Sequence, residues 1–221
     1  MIKLQNIKKI YGERTVLNID GLSFTKGETV AIVGPNGSGK STLLKIIADV
    51  IKSDEGTVET NSRMYYLPQQ NIPFRKSVRK NILISMENAD DKEIRCNEIL
   101  AELGLTNLAD KNAKGLSGGE CQRLALGRVL INEGDFLVLD EPSSAADIEG
   151  TEMIENAIRK YKDKTGCGVI MTTHSPVQAL KLAERVIMLC DGKIVEDGRP
   201  EELLINPKTQ WGKKFISMWK L

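Results

Sequence analysis

The run Gly34-Pro35-Asn36-Gly37-Ser38-Gly39-Lys40-Ser41, with Thr42 behind it, constrains this chain more than any other feature. It matches G-x-x-x-x-G-K-[ST] at every fixed position. Just before it, Thr29-Val30-Ala31-Ile32-Val33 is short, apolar and β-branched, which predicts a buried strand. After it, Ser41 to Ile51 carries Leu43, Leu44, Ile47 and Val50 or Ile51 at helical spacing. Glycines let several backbone N–H groups face one point and form an anion nest. The start of the helix adds the positive end of its dipole. Lys40 supplies a point charge for the β- and γ-phosphates of a nucleotide, and the Ser41 hydroxyl suits Mg²⁺. The loop alone says only "nucleotide phosphates"; kinases, GTPases and many ATPases would all fit it.

The remaining pattern alternates strands with helices. Ile2, Leu4 and Ile7 predict a first short strand, and Val16 to Phe24 a second, broken by Gly21. Asp91 to Leu103 places Ile94, Ile99, Leu100 and Leu103 among charges, an amphipathic helix stopped by Gly104. A helix from Gly119 to about Leu130 precedes the strand Phe136-Leu137-Val138-Leu139. A helix over about Thr151 to Lys160, a strand over Gly168 to Thr172 and a helix near Val177 to Ala183 follow. Val186 to Leu189 and Lys193 to Val195 form a late hairpin around Asp191-Gly192. Such alternation argues for an α/β fold with a mostly parallel sheet.

Composition narrows the setting. Lys+Arg 31 against Asp+Glu 30 gives no charge excess that would call for nucleic acid. The four cysteines are scattered without a Cys-x-x-Cys pair, as expected of free thiols in a reducing compartment. No apolar run approaches the roughly twenty residues of a membrane span, and Met1 to Asn6 lacks the core of a signal peptide. A chain of this kind is expected in the cytoplasm, brought to a membrane only by a partner.

A second chemical pattern ends the strand at Phe136: Asp140 and Glu141 emerge beside the phosphate loop. Asp140 suits a hard cation through its water shell, and Glu141 can take a proton from, or orient, a water attacking the γ-phosphate. Leu116-Ser117-Gly118-Gly119-Glu120, followed by Cys121-Gln122-Arg123, then decides among nucleotide-binding families. With this segment the chain, from Ile2 to about Leu204, resembles the ATP-binding cassette (ABC) family, whose signature has this form.

The resemblance implies a P-loop NTPase fold with a mostly parallel sheet, an N-terminal antiparallel β subdomain and an inserted small helical subdomain at about 72–126. Residues 1–221 would form a single ATP-binding domain with a tail at about 206–221. It implies that Ser117, Gly118, Gly119 and Glu120 close over the ATP of a second copy in a head-to-tail dimer. It gives His174, in Thr172-Thr173-His174-Ser175, the place of the family's switch histidine. Gln69 looks like the glutamine linking Mg²⁺ and water to the helical insertion, with adjacent Gln70 leaving the register open. Tyr11 resembles the aromatic residue that stacks on adenine. The chain departs from the family's usual form at Ser144-Ala145-Ala146-Asp147, where Ala146 is smaller than the common leucine, at Gly127 and at Glu120. None of these removes a catalytic group.

The expected function is Mg-dependent ATP hydrolysis that powers a separate membrane-spanning permease, in a prokaryotic importer with a solute-binding protein on the permease. Alternatives are an exporter subunit, an ABC ATPase with soluble partners such as a cluster-assembly machine, an ATP-sensing module and a kinase. Intact Glu141 and His174 argue against the sensor, and the Leu116–Glu120 segment against the kinase. Val16 to Gly21 and the short insertion bear a slighter likeness to oxyanion importers such as those for tungstate, which carries no argument by itself. Trp211, Phe215 and Met218 or Trp219 give the tail an apolar helical stripe, expected to pack on its own domain.

Overall fold

A computed structural model describes residues 1–86 and 91–218. β1 (Ile2–Tyr11) and β2 (Arg14–Phe24) form a hairpin, and β3 (Thr29–Val33) leads into α1 (Lys40–Ile47). β4 (Glu55–Glu59) and β5 (Met64–Leu67) precede three helices, α2 (Val78–Ile84), α3 (Lys92–Glu102) and α4 (Gly118–Leu130). β6 (Phe136–Asp140), α5 (Ile148–Thr165), β7 (Gly168–Thr173) and α6 (Pro176–Leu182) then alternate. β8 (Arg185–Cys190), β9 (Lys193–Gly198), α7 (Pro200–Ile205) and α8 (Gln210–Ser217) complete the described chain.

Two sheets result. The smaller is antiparallel, in the order β2-β1-β4. The larger has the order β5-β6-β7-β3-β8-β9, parallel from β5 to β8, with β9 antiparallel at its edge. The central strands are apolar on both faces because both faces are covered. Val30, Ile32, Val138 and Ile170 meet α1 and the inward side chains of the small sheet, among them Ile2, Leu4, Ile7 and Phe24. Ala31, Val33, Leu137, Leu139, Val169 and Met171 meet the core built with α2 to α8. α1 is therefore held between two sheets, which fixes where the preceding loop points.

Differences from the sequence reading have local causes. β2 runs unbroken through Gly21, which pairs with Gln5 of β1. α1 stops at Ile47, four residues early, because Asp49 takes a left-handed conformation (φ 57°), and Val50 is exposed. Ile94 lies outside the buried stripe of α3, which is formed by Cys96, Ile99 and Leu100. α5 is longer than expected at both ends: Asp147 caps its start, accepting from the Gly150 N–H at 2.8 Å, and left-handed Gly166 ends it. In α8, Phe215 and Ile216 are buried in the main core and Trp211 stacks on Phe215 at 5.2 Å, so this part of the tail packs on its own domain. Met218 is exposed, and Trp219 lies outside the described residues.

Candidate nucleotide site

Strand register assembles the site. Leu67 pairs with Leu139, Asp140 with Thr172, and Val33 with Thr173. The residues that follow these pairs, Gly34, Gln69, Glu141 and His174, thus emerge along one edge of the sheet, at the carboxyl ends of parallel strands. Crevices at that edge are where open α/β sheets bind ligands.

The loop from Gly34 to Gly39 is braced from behind. Gly39 has φ 104°, and a Cβ there would stand 2.7 Å from Leu17 Cδ2 and 2.9 Å from the Val16 carbonyl of β2. In the β8–β9 turn, Asp191 (φ 45°) and Gly192 (φ 74°) are both left-handed. The Gly192 N–H donates to the Ser38 carbonyl at 3.0 Å, and its carbonyl accepts from the Asn18 N–H at 2.8 Å. Arg14 reaches the Gly37 carbonyl at 3.5 Å. Lys40 Nζ donates to the carbonyls of Gly34 (2.9 Å) and Pro35 (3.0 Å). Burial pushes this ammonium below the usual lysine value, while the charges of Glu141 and Asp140 oppose the shift. The Ser38 hydroxyl is buried with no hydrogen-bond partner among the described residues, and an orphan of that kind calls for a ligand.

The acidic pair is held by its neighbours. Asp140 is 1% exposed, and its Oδ1 accepts from Ser41 Oγ at 3.0 Å and from Thr172 Oγ1 at 2.7 Å. The same Thr172 hydroxyl accepts from the Glu141 N–H at 2.9 Å. Gln122 donates to the Glu141 carbonyl at 2.9 Å. Glu141 itself is left-handed (φ 49°), uncommon for a residue with a Cβ and frequent at working sites. Its Oε2 accepts from Gln69 Nε2 at 3.1 Å and lies 3.6 Å from His174 Nδ1. Gln69 and not Gln70 reaches this group; Gln70 lines a separate hollow with Tyr65 and Arg128. Beside Glu141 and His174 opens a cleft of about 690 Å³ whose walls include Ser143, Asp147, Glu155 and Gln178.

The second glycine turn stands apart from these contacts. Ser117 and Glu120 form a reciprocal cap on α4. Glu120 Oε2 accepts from the Ser117 N–H at 2.7 Å, and Ser117 Oγ accepts from the Glu120 N–H at 3.3 Å. The backbone bond from Ser117 is the largest influence holding the Glu120 carboxyl below the usual range. The Glu120 carboxylate thus serves the cap of its own helix. Gly118 and Gly119 lie against Ala145 and Ala146, the latter half-buried against the main core. Tyr11, at the end of the first hairpin, is exposed, with Lys9 Nζ 5.4 Å from its ring centre. The structure thus brings Gly34 to Ser41, Gln69, Asp140, Glu141 and His174 together and leaves the Ser117 turn as a second, outward feature. Thr172 and Arg14 support the site without any local motif, the first brought to Asp140 by strand register; Gln122, read only as part of the signature segment, does so through the Glu141 carbonyl.

The chain is similar to known proteins in sequence and in fold. The family model described as "ABC transporter" matches residues 17–144. The tungstate uptake system ATP-binding protein of Peptoclostridium acidaminophilum is 37% identical over 207 residues, covering 88% of this chain and 97% of that protein. A probable amino-acid import ATP-binding protein of Bacillus subtilis is 34% identical, covering 98% of this chain and 96% of its own. Among solved structures, a dimeric ATP-binding cassette in a post-hydrolysis state, bound to ADP and Pi, superposes with a TM-score of 0.81. It is 30% identical and is matched over 90% of this chain and 99% of its own. The chain belongs to the ABC transporter family, as an ATP-binding and ATP-hydrolysing subunit that powers transport.

Proposed function

We propose that Gly34 to Ser41, with Thr42, holds the phosphates of ATP, and that Ser41 and Asp140 hold Mg²⁺ with Gln69 at its edge. The hydroxyl and carboxylate, 3.0 Å apart, are the hard oxygen donors that ion takes. When bound, the ion offsets charge on the β- and γ-phosphates. Tyr11 stacks on adenine. Glu141 orients the attacking water and accepts its proton, and Gln69 and His174 keep that carboxylate and the γ-phosphate in one line. The observation that carries this reading is the convergence of Gln69 and His174 on Glu141 Oε2, next to the buried Asp140.

Ser117, Gly118 and Gly119 then serve the ATP of a second copy. In support, the Ser117 turn is exposed while its own cap is complete, and the solved relative is a dimer. Two ATP molecules would join two copies, and phosphate loss would open them. That movement drives a separate permease docked near the helical segment and Gln69, in an importer on the inner face of the cell membrane. No helix of the described residues is long and apolar enough to cross a membrane. Chains this similar are named for tungstate and for amino acids. Solute choice therefore lies in the permease and a solute-binding protein, and a tungstate-type oxyanion is the class to test first.

The test is capture of tagged Glu141→Gln chain, with ATP, from membranes in mild detergent. Recovery of a multi-span membrane protein is expected, and a co-purifying solute-binding protein would mark an importer. Recovery of soluble partners alone would overturn the transport reading in favour of an assembly-type ABC ATPase.

A further inference from the structure

Glu155 is a carboxylate that the chemistry above leaves unused. It lies in α5 and is 4% exposed. A buried carboxylate is costly unless paired and hydrogen-bonded. Here Oε2 meets Lys181 Nζ at 2.6 Å, and Oε1 accepts from Gln178 Nε2 at 3.1 Å. The same Gln178 nitrogen donates to Ser143 Oγ at 2.8 Å. Both N–H bonds of one amide are thus committed, one to α5 and one to the segment behind Glu141. An ionised carboxylate only accepts, so Glu155 fixes which end of the Gln178 amide faces inward. It thereby makes that amide a donor to Ser143.

The chain positions of these groups give the arrangement its meaning. Ser143 follows Glu141 by two residues, and Gln178 follows His174 by four, in α6. Ser175, between them, caps α6 by accepting from the Gln178 N–H at 3.3 Å. A single bridge therefore ties the segment carrying Glu141 to the helix that sets His174. Lys181 is half-exposed, and an ion pair open to solvent on one side adds little net stability.

We propose that Gln178, oriented by Glu155, is a positioning residue for ATP hydrolysis. Through Ser143 it fixes the separation of Glu141 and His174, which stand 3.6 Å apart. The proposal rests on the reading of those two residues as the pair acting on the attacking water. A displacement of about 1 Å at such a pair lowers turnover by an order of magnitude or more.

Steady-state ATP hydrolysis by the full chain tests it, with Gln178→Leu, Ser143→Ala, the double variant, Ser143→Thr and Glu141→Gln measured side by side. Each of the first two is expected to lower kcat about ten-fold with little change in KM for ATP. The double variant should be no worse than either single one, because both break the same bridge. Ser143→Thr keeps the hydroxyl and should retain most of the activity. A lower Tm with unchanged kcat in Ser143→Ala and Gln178→Leu would make the bridge a mere staple between helices and overturn the proposal. Additive losses in the double variant would overturn it too. Should Gln178→Leu fail to fold, Ser143→Ala, in a partly exposed segment, decides by itself. Normal turnover in Glu141→Gln would remove the underlying assignment and the proposal with it. A dead Glu141→Gln beside normal Ser143→Ala and Gln178→Leu would sink the positioning role alone.

Discussion

The helices that start at Lys40 and at Gly118 are both opened by glycines, but they are finished in opposite ways. α1 has Gly39 before it and no side-chain cap. Its loop is instead held from outside, by β2 and the β8–β9 turn, so its N–H groups stay available to phosphate. α4 carries a complete reciprocal cap from Ser117 and Glu120. Around α1 the acid pair, Gln69 and His174 are already gathered; around α4 the neighbours are Ala145 and Ala146. The first helix start is built into a cluster of polar side chains, and the second is closed by its own cap. The uncapped donors of α1 face the Gly34–Gly39 loop, where an anion can meet them.

The largest effect should come at the gathered end. Glu141→Gln is expected to lower kcat by at least about 100-fold while ATP still binds, as read by single-turnover hydrolysis and nucleotide retention. Normal kcat would break the contrast at its stronger side.

The next experiment asks whether the second helix start serves another copy. Lys40→Ala disables the α1 side and Ser117→Arg the α4 side, and each alone should be inactive. Mixed in equal amounts, random pairing should restore about a quarter of wild-type activity, because half the dimers keep one intact site of two. No recovery on mixing, with dimers present, would show that both helix starts act on one ATP in one chain.

A smaller effect separates shape from chemistry at α4. Ser117→Ala removes a cap and should cost about 1 kcal/mol in urea unfolding, with ATP binding by single chains unchanged. Loss of that binding would erase the distinction between the two regions.

The Phe136 and Thr29 strands were legible because a parallel strand buried on both faces reads as a near-continuous apolar run. β4, Glu55-Gly56-Thr57-Val58-Glu59, was not, because an edge strand can be almost wholly polar when only Val58 meets the core. Motif residues such as Lys40, Asp140 and Glu141 announced themselves through local spacing. Thr172 and Gln178 did not, since each matters through a partner brought to it by sheet register or helix packing. Nor could spacing choose between Gln69 and Gln70, of which Gln69 donates to Glu141 at 3.1 Å.

The smallest expected effect is a pH dependence at the α4 cap. Its hydrogen bonds hold the folded Glu120 carboxyl below its unfolded value. The stabilisation is therefore fully present above the unfolded carboxylate pKa, about 4.3, and fades as pH falls through the lower, folded one. Glu120→Gln should flatten that part of the acid unfolding curve, measured by circular dichroism. An unchanged slope would mean the carboxylate does not serve the cap.

The Asp191–Gly192 turn has a genetic consequence. A side chain at Gly192 would run into the Val16 carbonyl and stand 3.0 Å from Leu17 Cα, pushing away the N–H that holds Ser38. A screen for transport-defective alleles should therefore return clusters at two distant places in the gene, one at the codons around Lys40 and one at the codon for Gly192, whose products are a single hydrogen bond apart.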